Sequence, residues 1–409
     1  MSIVSSSSLG AWSRRDFVAA TGAVGLMAAG GAFAQDAAQR KIKLGVIGCG
    51  GRGRWIANLF KKHGGYDIHA VGDYFEDRAA AAAGDHGLPR ERCFVGLDCH
   101  KKVLETKPDA VAIITPPYFH PQEVAAAIDA GAHVYLAKPL AVDVPGCRSI
   151  EESAKRGAEK KLCFLADFQT RATPFYQEAI ARVHQGALGD IAFGEAWYHT
   201  GRLGGHHLSP NTGTQEARLR NWVFDKALSG DIITEQNIHT LDVMSWVFRT
   251  PPLNAFGTGG RKSRVDVGDC WDHFALVFQY PSNVGVTFSS RQFEGFGAEE
   301  GIVVRVFGSK GVLETNYGGN VMIRGGDDVF YRGGKTSSIY EDGAVSNIAA
   351  FYDSIAKGDV SNPTLAPSIQ SNLITIMGRK AAYTGKLVTW DETLADTERL
   401  DAKLDGLKI

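Results

Sequence analysis

The sequence has no C-x-x-C pair, no excess charge of either sign, and no second apolar run long enough to cross a bilayer. Each lack removes a class of function. The six cysteines, at 49, 93, 99, 147, 163 and 270, show neither the spacing of a redox pair nor the Cys/His rhythm of a zinc site, so no metal is expected. With 44 basic against 45 acidic residues, neither a nucleic-acid surface nor a polybasic membrane patch is implied. No internal repeat or long low-complexity linker appears; Gly318 to Gly334 is the loosest stretch.

What is present begins with a leader. Ser13-Arg14-Arg15-Asp16-Phe17-Val18 precedes the Ala/Gly-rich stretch Ala19 to Phe33 and the small-residue pattern Ala32-Phe33-Ala34, the signature of twin-arginine export. That stretch is too short and too glycine-rich to span ~30 Å of hydrocarbon. The expectation is therefore cleavage after residue 34, no retained membrane span, and a periplasmic protein that met the twin-arginine machinery already folded. Its thiols would have been kept reduced while it folded, so buried free cysteines are expected.

From Lys41 onward short apolar runs alternate with amphipathic segments of helix length, which predicts βαβ units and a parallel sheet. The runs are Leu44 to Ile47, Ile68 to Val71, Ala110 to Ile114, His133 to Leu136 and Leu162 to Ala166; the helices are Arg54 to His63, Arg78 to Gly84, Pro121 to Ala130 and Pro145 to Gly157. After Asp167 the texture changes. Ile191 to His199, His273 to Tyr280, Val284 to Ser289, Ile302 to Phe307 and Val312 to Thr315 alternate polar and apolar residues, as an antiparallel sheet with one buried face requires. Helices are expected at Thr240 to Phe248, Val345 to Ala356 and Pro367 to Tyr383. The fold class is α/β, with domains at 41–166 and 167–390 and a tail at 391–409.

Lys43 to Ile47 leads into Gly48-Cys49-Gly50-Gly51-Arg52-Gly53, a G-x-G-x-x-G turn between a strand and a helix. Gly48 permits the bend, Gly50 the approach of backbone to pyrophosphate, and Gly53 close packing of helix on strand. Asp73, 20 residues after Gly53, ends the second strand, where a carboxylate can bond ribose hydroxyls and repel a 2′-phosphate. NAD(H) is the expected cofactor, with NADP(H) the lesser alternative because Arg78 is near. Later ligand-facing loops follow strand carboxyl ends, which nominates Thr115, Pro116, Pro117 and His120 and then Lys138-Pro139.

These motifs, together with Glu235-Gln236-Asn237-Ile238-His239-Thr240-Leu241-Asp242, resemble the glucose-fructose oxidoreductase, inositol dehydrogenase and MocA (Gfo/Idh/MocA) family over about residues 41 to 390. The resemblance implies an N-terminal Rossmann domain and a C-terminal α/β domain. The second domain's large, mainly antiparallel sheet would support a homo-oligomer and one wall of the active site. The family's Glu-Lys-Pro is here Ala137-Lys138-Pro139, and its D-x-x-x-H is Glu235-x-x-x-His239. Asp242 matches a further family position, which implies an acceptor for a sugar hydroxyl, and Gln169 and Arg171 match positions near the cleft.

Oxidation of a secondary carbinol needs a base for the hydroxyl proton and a cation beside the developing alkoxide. His239 is the candidate base and Lys138 the alkoxide stabiliser or proton relay, with Glu235 or Asp242 holding both; the hydride would pass to C4 of a tightly bound nicotinamide. Tyr198, His206-His207 and Trp271-Asp272-His273 are weaker candidates for lining a sugar pocket, because aromatics mostly fill cores. The expected substrate is a sugar, cyclitol or glycoside. Export suggests a retained cofactor and a redox-neutral cycle. The alternative is an NAD-dependent glycosidase working by transient oxidation and elimination, with Tyr198 or His206 as its second base. A non-catalytic sugar-binding homologue is a lesser alternative.

Overall fold

Six apolar runs form a parallel sheet: β1 (Ile42–Ile47), β2 (Tyr66–Asp73), β3 (Cys93–Val95), β4 (Ala110–Ile113), β5 (His133–Ala137) and β6 (Phe164–Asp167). The computed structural model describes residues 41–203, 214–318, 320–336 and 338–409, so the leader and His206-His207 lie outside the described residues. The order β3-β2-β1-β4-β5-β6 reverses direction between β1 and β4, opening a crevice at their carboxyl ends. All five expected strands lie within one or two residues of these. The short β3 was not expected because its three residues carry no period of their own.

The second sheet has nine strands: β7 (Ile191–Thr200), β8 (Asn254–Gly260), β9 (His273–Tyr280), β10 (Val284–Gln292), β11 (Gly301–Gly308), β12 (Gly311–Asn316), β13 (Val321–Gly325), β14 (Tyr331–Arg332) and β15 (Val388–Thr389). They run in the order β14-β13-β12-β11-β7-β10-β9-β8-β15, and every pairing is antiparallel except β7 with β10. Helices Pro174–His184, Ile238–Phe248 and Leu365–Thr384 cover one face. Beneath them Phe274, Leu276, Phe278, Val286 and Phe288 are buried, each contributing roughly 1.5–3 kcal/mol of transfer free energy. The other face bears Phe193, Phe256 and Val277 in the open.

Three sequence expectations change. The stretch Gly318 to Gly334 is not a plain loop: Val321 and Ile323 point inward, which builds β13, and β14 pairs with it. The helix expected from Val345 starts at Ile339, where the Ser338 side chain caps it by accepting from Glu341 N; Gly343 within it had masked the period. The last residues, expected as a tail, dock on the first sheet's loops. Leu400 N donates to Asp143 Oδ2 at 2.9 Å, Leu97 N to the Lys408 carbonyl at 3.0 Å, and Ala402 is fully buried. All six cysteines are free, and all but Cys93 are buried.

Helix Leu365–Thr384 joins the two sheets. Asn372 Oδ1 accepts from Leu140 N at 2.8 Å and its Nδ2 donates to the Ala141 carbonyl at 2.9 Å. Arg379 donates to the Val142 and Gly230 carbonyls, both at 2.7 Å. The loop after β5 and the segment leading to His239 are thereby tied to one rigid rod.

Candidate active site

The glycine turn has the geometry that dinucleotide binding needs. Gly48 has φ +91°, and a Cβ on Gly53 would lie 1.8 Å from the Gly48 carbonyl oxygen, so neither position accepts a side chain. At Gly50 the nearest atom to such a Cβ is 3.8 Å away, which leaves room for a ligand. Gly50 N-caps helix Gly51–His63 without a side-chain bond, so the helix end can receive an anion.

Asp73 accepts from Cys49 N at 2.7 Å and Phe75 N at 2.8 Å, and so clamps the turn it would share with a ribose. Burial raises its pKa, while the two amides and then Arg78 pull it down. Beside it opens a cleft lined by Gly48, Gly50, Asp73, Phe75, Arg78, Thr115, Pro116, Phe119 and, from the second domain, Leu219 and Trp222. A nucleoside fits this lining: glycine backbone for phosphate, a carboxylate for hydroxyls, flat apolar groups for a base.

The segment carrying Leu219 and Trp222 is a strap over that cavity. Arg220 pairs with Asp77 at 3.0 Å and sits 3.9 Å over the Phe75 ring. Tyr74 OH donates to Glu216 at 2.8 Å, and Arg218 donates to the Ala402 carbonyl at 3.0 Å. Nothing in the local sequence marks residues 215–224 as a cofactor cover.

Thr115 and Pro116 reach the cavity, but His120 does not. It is fully buried, with Nε2 at 2.8 Å from the Thr115 carbonyl and Nδ1 at 3.0 and 3.1 Å from those of Pro139 and Leu140. Burial pushes its pKa to about 4, although three carbonyls favour the imidazolium, which alone donates from both nitrogens. The role is to pin two loops together, which corrects the expectation of a cofactor contact. Thr115 Oγ1 donates to Glu123 at 2.5 Å, and burial raises that carboxyl to about 8.

Lys138 and Glu235 meet across the domains. Lys138 Nζ lies 3.1 Å from Glu235 Oε1 and 2.7 Å from the Glu235 carbonyl, with side-chain exposures of only 7% and 10%. Glu235 thus supplies the carboxylate that holds the Lys138 ammonium. An ammonium has three protons, and these bonds use two. The other Glu235 oxygen accepts from Gln236 Nε2, and Gln236 Oε1 accepts from Tyr198 OH at 2.9 Å. Burial drives the Tyr198 phenol far above its usual range, so it is not poised as a second base.

His239 is 1% exposed, and neither ring nitrogen has a hydrogen-bond partner. Its ring lies 4.9 Å from that of Tyr317 and 6.0 Å from that of Tyr340. Burial first, then the charges of Lys138 and Arg52, push its pKa well below the imidazole range, so the ring is neutral. Arg52 reaches this chamber from the glycine turn and is held by Asp167 at 2.5 Å. Tyr317, Tyr340 and Gln236 were not given roles from the sequence: the two tyrosines stand in no local motif, and Gln236 lies within the Glu235 to His239 motif at a position to which no chemistry was assigned.

Asp242 is placed differently from expectation. Arg171 Nε donates to both its oxygens, at 2.9 and 3.0 Å, and Ser371 Oγ to Oδ1 at 2.7 Å. With no exposed surface, it ties helix Ile238–Phe248 to helix Leu365–Thr384 rather than presenting a free acceptor to a sugar. Arg171 stacks on Trp246 and lines another cavity with His184 and Gln370. Gln169 is buried and accepts from Tyr317 OH at 3.4 Å, so it supports the ring beside His239. Asp272 accepts from three backbone amides and bonds its neighbour His273, and Trp271 stacks on Tyr383, so neither is offered to a ligand.

Two family models match the chain. Residues 42–164 match the one described as an oxidoreductase family, NAD-binding Rossmann fold, and residues 176–314 match the GFO/IDH/MocA C-terminal domain. An uncharacterized oxidoreductase of Streptococcus pneumoniae is 25% identical over 62% of this chain, which spans 61% of that relative's length. Inositol 2-dehydrogenase of Acidothermus cellulolyticus is 25% identical over 64% of this chain and 69% of its own. The crystal structure of an oxidoreductase domain protein from Kribbella flavida shares the fold, with TM-score 0.71 and 18% identity, over 86% of this chain and 99% of that one.

Proposed function

The chain belongs to the Gfo/Idh/MocA oxidoreductase family, two of whose models match its two sheets, and from that premise we propose that it oxidises a ring hydroxyl of a cyclitol or sugar. NAD is the cofactor of this Rossmann domain, and when bound it supplies the hydride acceptor. The observation that carries the reading is the pairing of a neutral, unpartnered His239 with the Lys138 ammonium at the carboxyl ends of the first sheet.

His239 takes the hydroxyl proton. Flanked by two cations it holds that proton weakly, which suits passing it on. Lys138 turns its third N–H to the developing alkoxide, while Glu235 fixes the ammonium's position. The kinship to an inositol 2-dehydrogenase supports a cyclitol or sugar over other carbinols.

The strap over the nucleotide cavity supports cofactor retention through turnover, which agrees with the export that the leader suggests. With the cofactor held by the glycine turn, Asp73 and the strap, a second carbonyl substrate entering beside Lys138 and His239 would be the hydride's destination. The uncovered face of the nine-stranded sheet, with Phe193 stacked on Phe307 and alternating charges Glu195, Arg305 and Glu314, is the surface for self-association in this reading.

Denaturing the purified protein and identifying released nucleotide by mass spectrometry tests the cofactor. A following screen of cyclitols and sugars for change in nicotinamide absorbance tests the reaction. Bound NAD(H) and a keto product are expected; no nicotinamide change with any cyclitol or sugar would refute the reading.

A further inference from the structure

On the sheet's inner face, chemistry changes abruptly toward one end. Along β10 the inward residues are Val284, Val286 and Phe288 and then Ser290 and Gln292; along the adjoining β7 they are Ala196 and then Tyr198 and Thr200. The register pairs Ser290 with Tyr198 and Gln292 with Thr200, so the four polar side chains share one patch. An apolar core gives way to hydroxyls and an amide just where Tyr198 bonds Gln236 and the chain of bonds to Glu235 and Lys138 begins.

Most of these polar atoms have nothing to bond. Ser290 and Gln292 are 3% and 2% exposed, yet Ser290 Oγ, Thr200 Oγ1 and both amide atoms of Gln292 lack a partner among the described residues. Helix Ile238–Phe248 packs on β7, and on it and the residue before it Asn237 Oδ1, Thr240 Oγ1 and both nitrogens of His239 are also buried and unpartnered. Native proteins leave few such groups, because each forfeits the hydration it had in the unfolded chain. So many on one sheet patch and the helix packed against it is the signature of a site whose hydrogen bonds come from a ligand.

We propose that Thr200, Ser290 and Gln292 are the specificity wall of this enzyme, reading hydroxyls on ring carbons other than the one oxidised. The inference rests on the oxidoreductase reading above and narrows it. A primary amide offers a donor and an acceptor side by side, the match for two adjacent hydroxyls, each able to accept and to donate. The wall therefore selects a ring polyol with a vicinal diol beyond the reacting carbon and rejects its deoxy analogue. Rejection follows because the missing hydroxyl strands the buried amide again.

Gln292→Leu in the full-length, nucleotide-loaded protein separates this role from a packing defect. Expected are a higher melting temperature without substrate, a KM for the polyol raised about tenfold or more, a kcat within a fewfold, and the same KM as wild type for the deoxy analogue. The polyol-induced rise in melting temperature should shrink with it. Ser290→Ala reports the same split if the leucine variant does not fold. An unchanged KM, or kcat and KM failing together with a lowered melting temperature, overturns the wall. If the wild type oxidises no ring polyol, the oxidoreductase reading falls and the wall with it; if the wild type is active and both variants match it, the wall alone falls.

Discussion

Lys138→Met preserves side-chain length and removes one charge from a pair almost closed to solvent. At 3.1 Å the ions attract by about 5 kcal/mol at an effective dielectric near 20, a gross figure that desolvation of both largely offsets. Removing one partner is different, because the Glu235 carboxylate then stays buried with the Gln236 amide alone. A loss of about 3–5 kcal/mol in folding stability is expected, measured by urea denaturation. Activity falls separately: a cation aimed at developing negative charge is worth about 10²- to 10³-fold in kcat, read at saturating nucleotide and substrate. The double variant Lys138→Met, Glu235→Leu removes both charges, so stability should return to within about 1–2 kcal/mol of wild type while kcat stays low. A single variant with undiminished kcat, or a double variant that recovers turnover, would refute the role of the ammonium.

Three further outcomes follow from the same geometry. Glu123, raised to about 8 against an ordinary 4.5, holds a proton in the folded protein that the unfolded chain releases; its contribution is complete below pH 4.5 and is lost as pH rises toward 8, so melting temperature should fall over that window and Glu123→Gln should flatten the slope. Trp222→Ala or Arg220→Ala opens the strap, and nucleotide retained through gel filtration should drop at least tenfold, consistent with loss of about 1.5–3 kcal/mol of aromatic contact; full retention by both would remove the strap's role. Asp242→Ala strips the partly exposed Arg171 and the Ser371 hydroxyl of their buried carboxylate and should lower stability by about 1–3 kcal/mol, with KM of the folded fraction unchanged, whereas a raised KM at unaltered stability would return Asp242 to the substrate.

The βαβ half was legible because buried parallel strands are continuous apolar runs, and the glycine turn fixes where the first one ends. Lys138 could be nominated from its place after a strand, whereas Glu235 and His239 were singled out by the family resemblance their motif carries. What could not be read are the pairings that only the folded chain creates. Arg52 meets Asp167 across 115 residues, and Ser371 reaches Asp242 across 129. These long reaches turned Asp242 from a free acceptor into a tether. Strand β8 was hidden by its glycines: a Cβ at Gly257 would lie 2.2 Å from the Ala275 carbonyl, so glycine there serves close packing rather than a turn. His120 misled because a histidine in a ligand-facing loop reads as a contact, whereas three carbonyls within 3.1 Å claim both its nitrogens.

Helix Leu365–Thr384 bonds the residues after Pro139 with Asn372 and Arg379, and the Gly230 to Asp242 segment with Arg379, Thr375 and Ser371. The groups proposed to react thus come from both domains, Lys138 from the first and Glu235 and His239 from the second, yet one late helix sets their spacing. On that proposal the catalytic unit is not a module of either domain. A chimera joining this nucleotide-binding half to another family member's second half inherits Lys138 without the ruler that places it, and transplanting the helix along with the sheet is the smallest exchange that keeps the two halves in step.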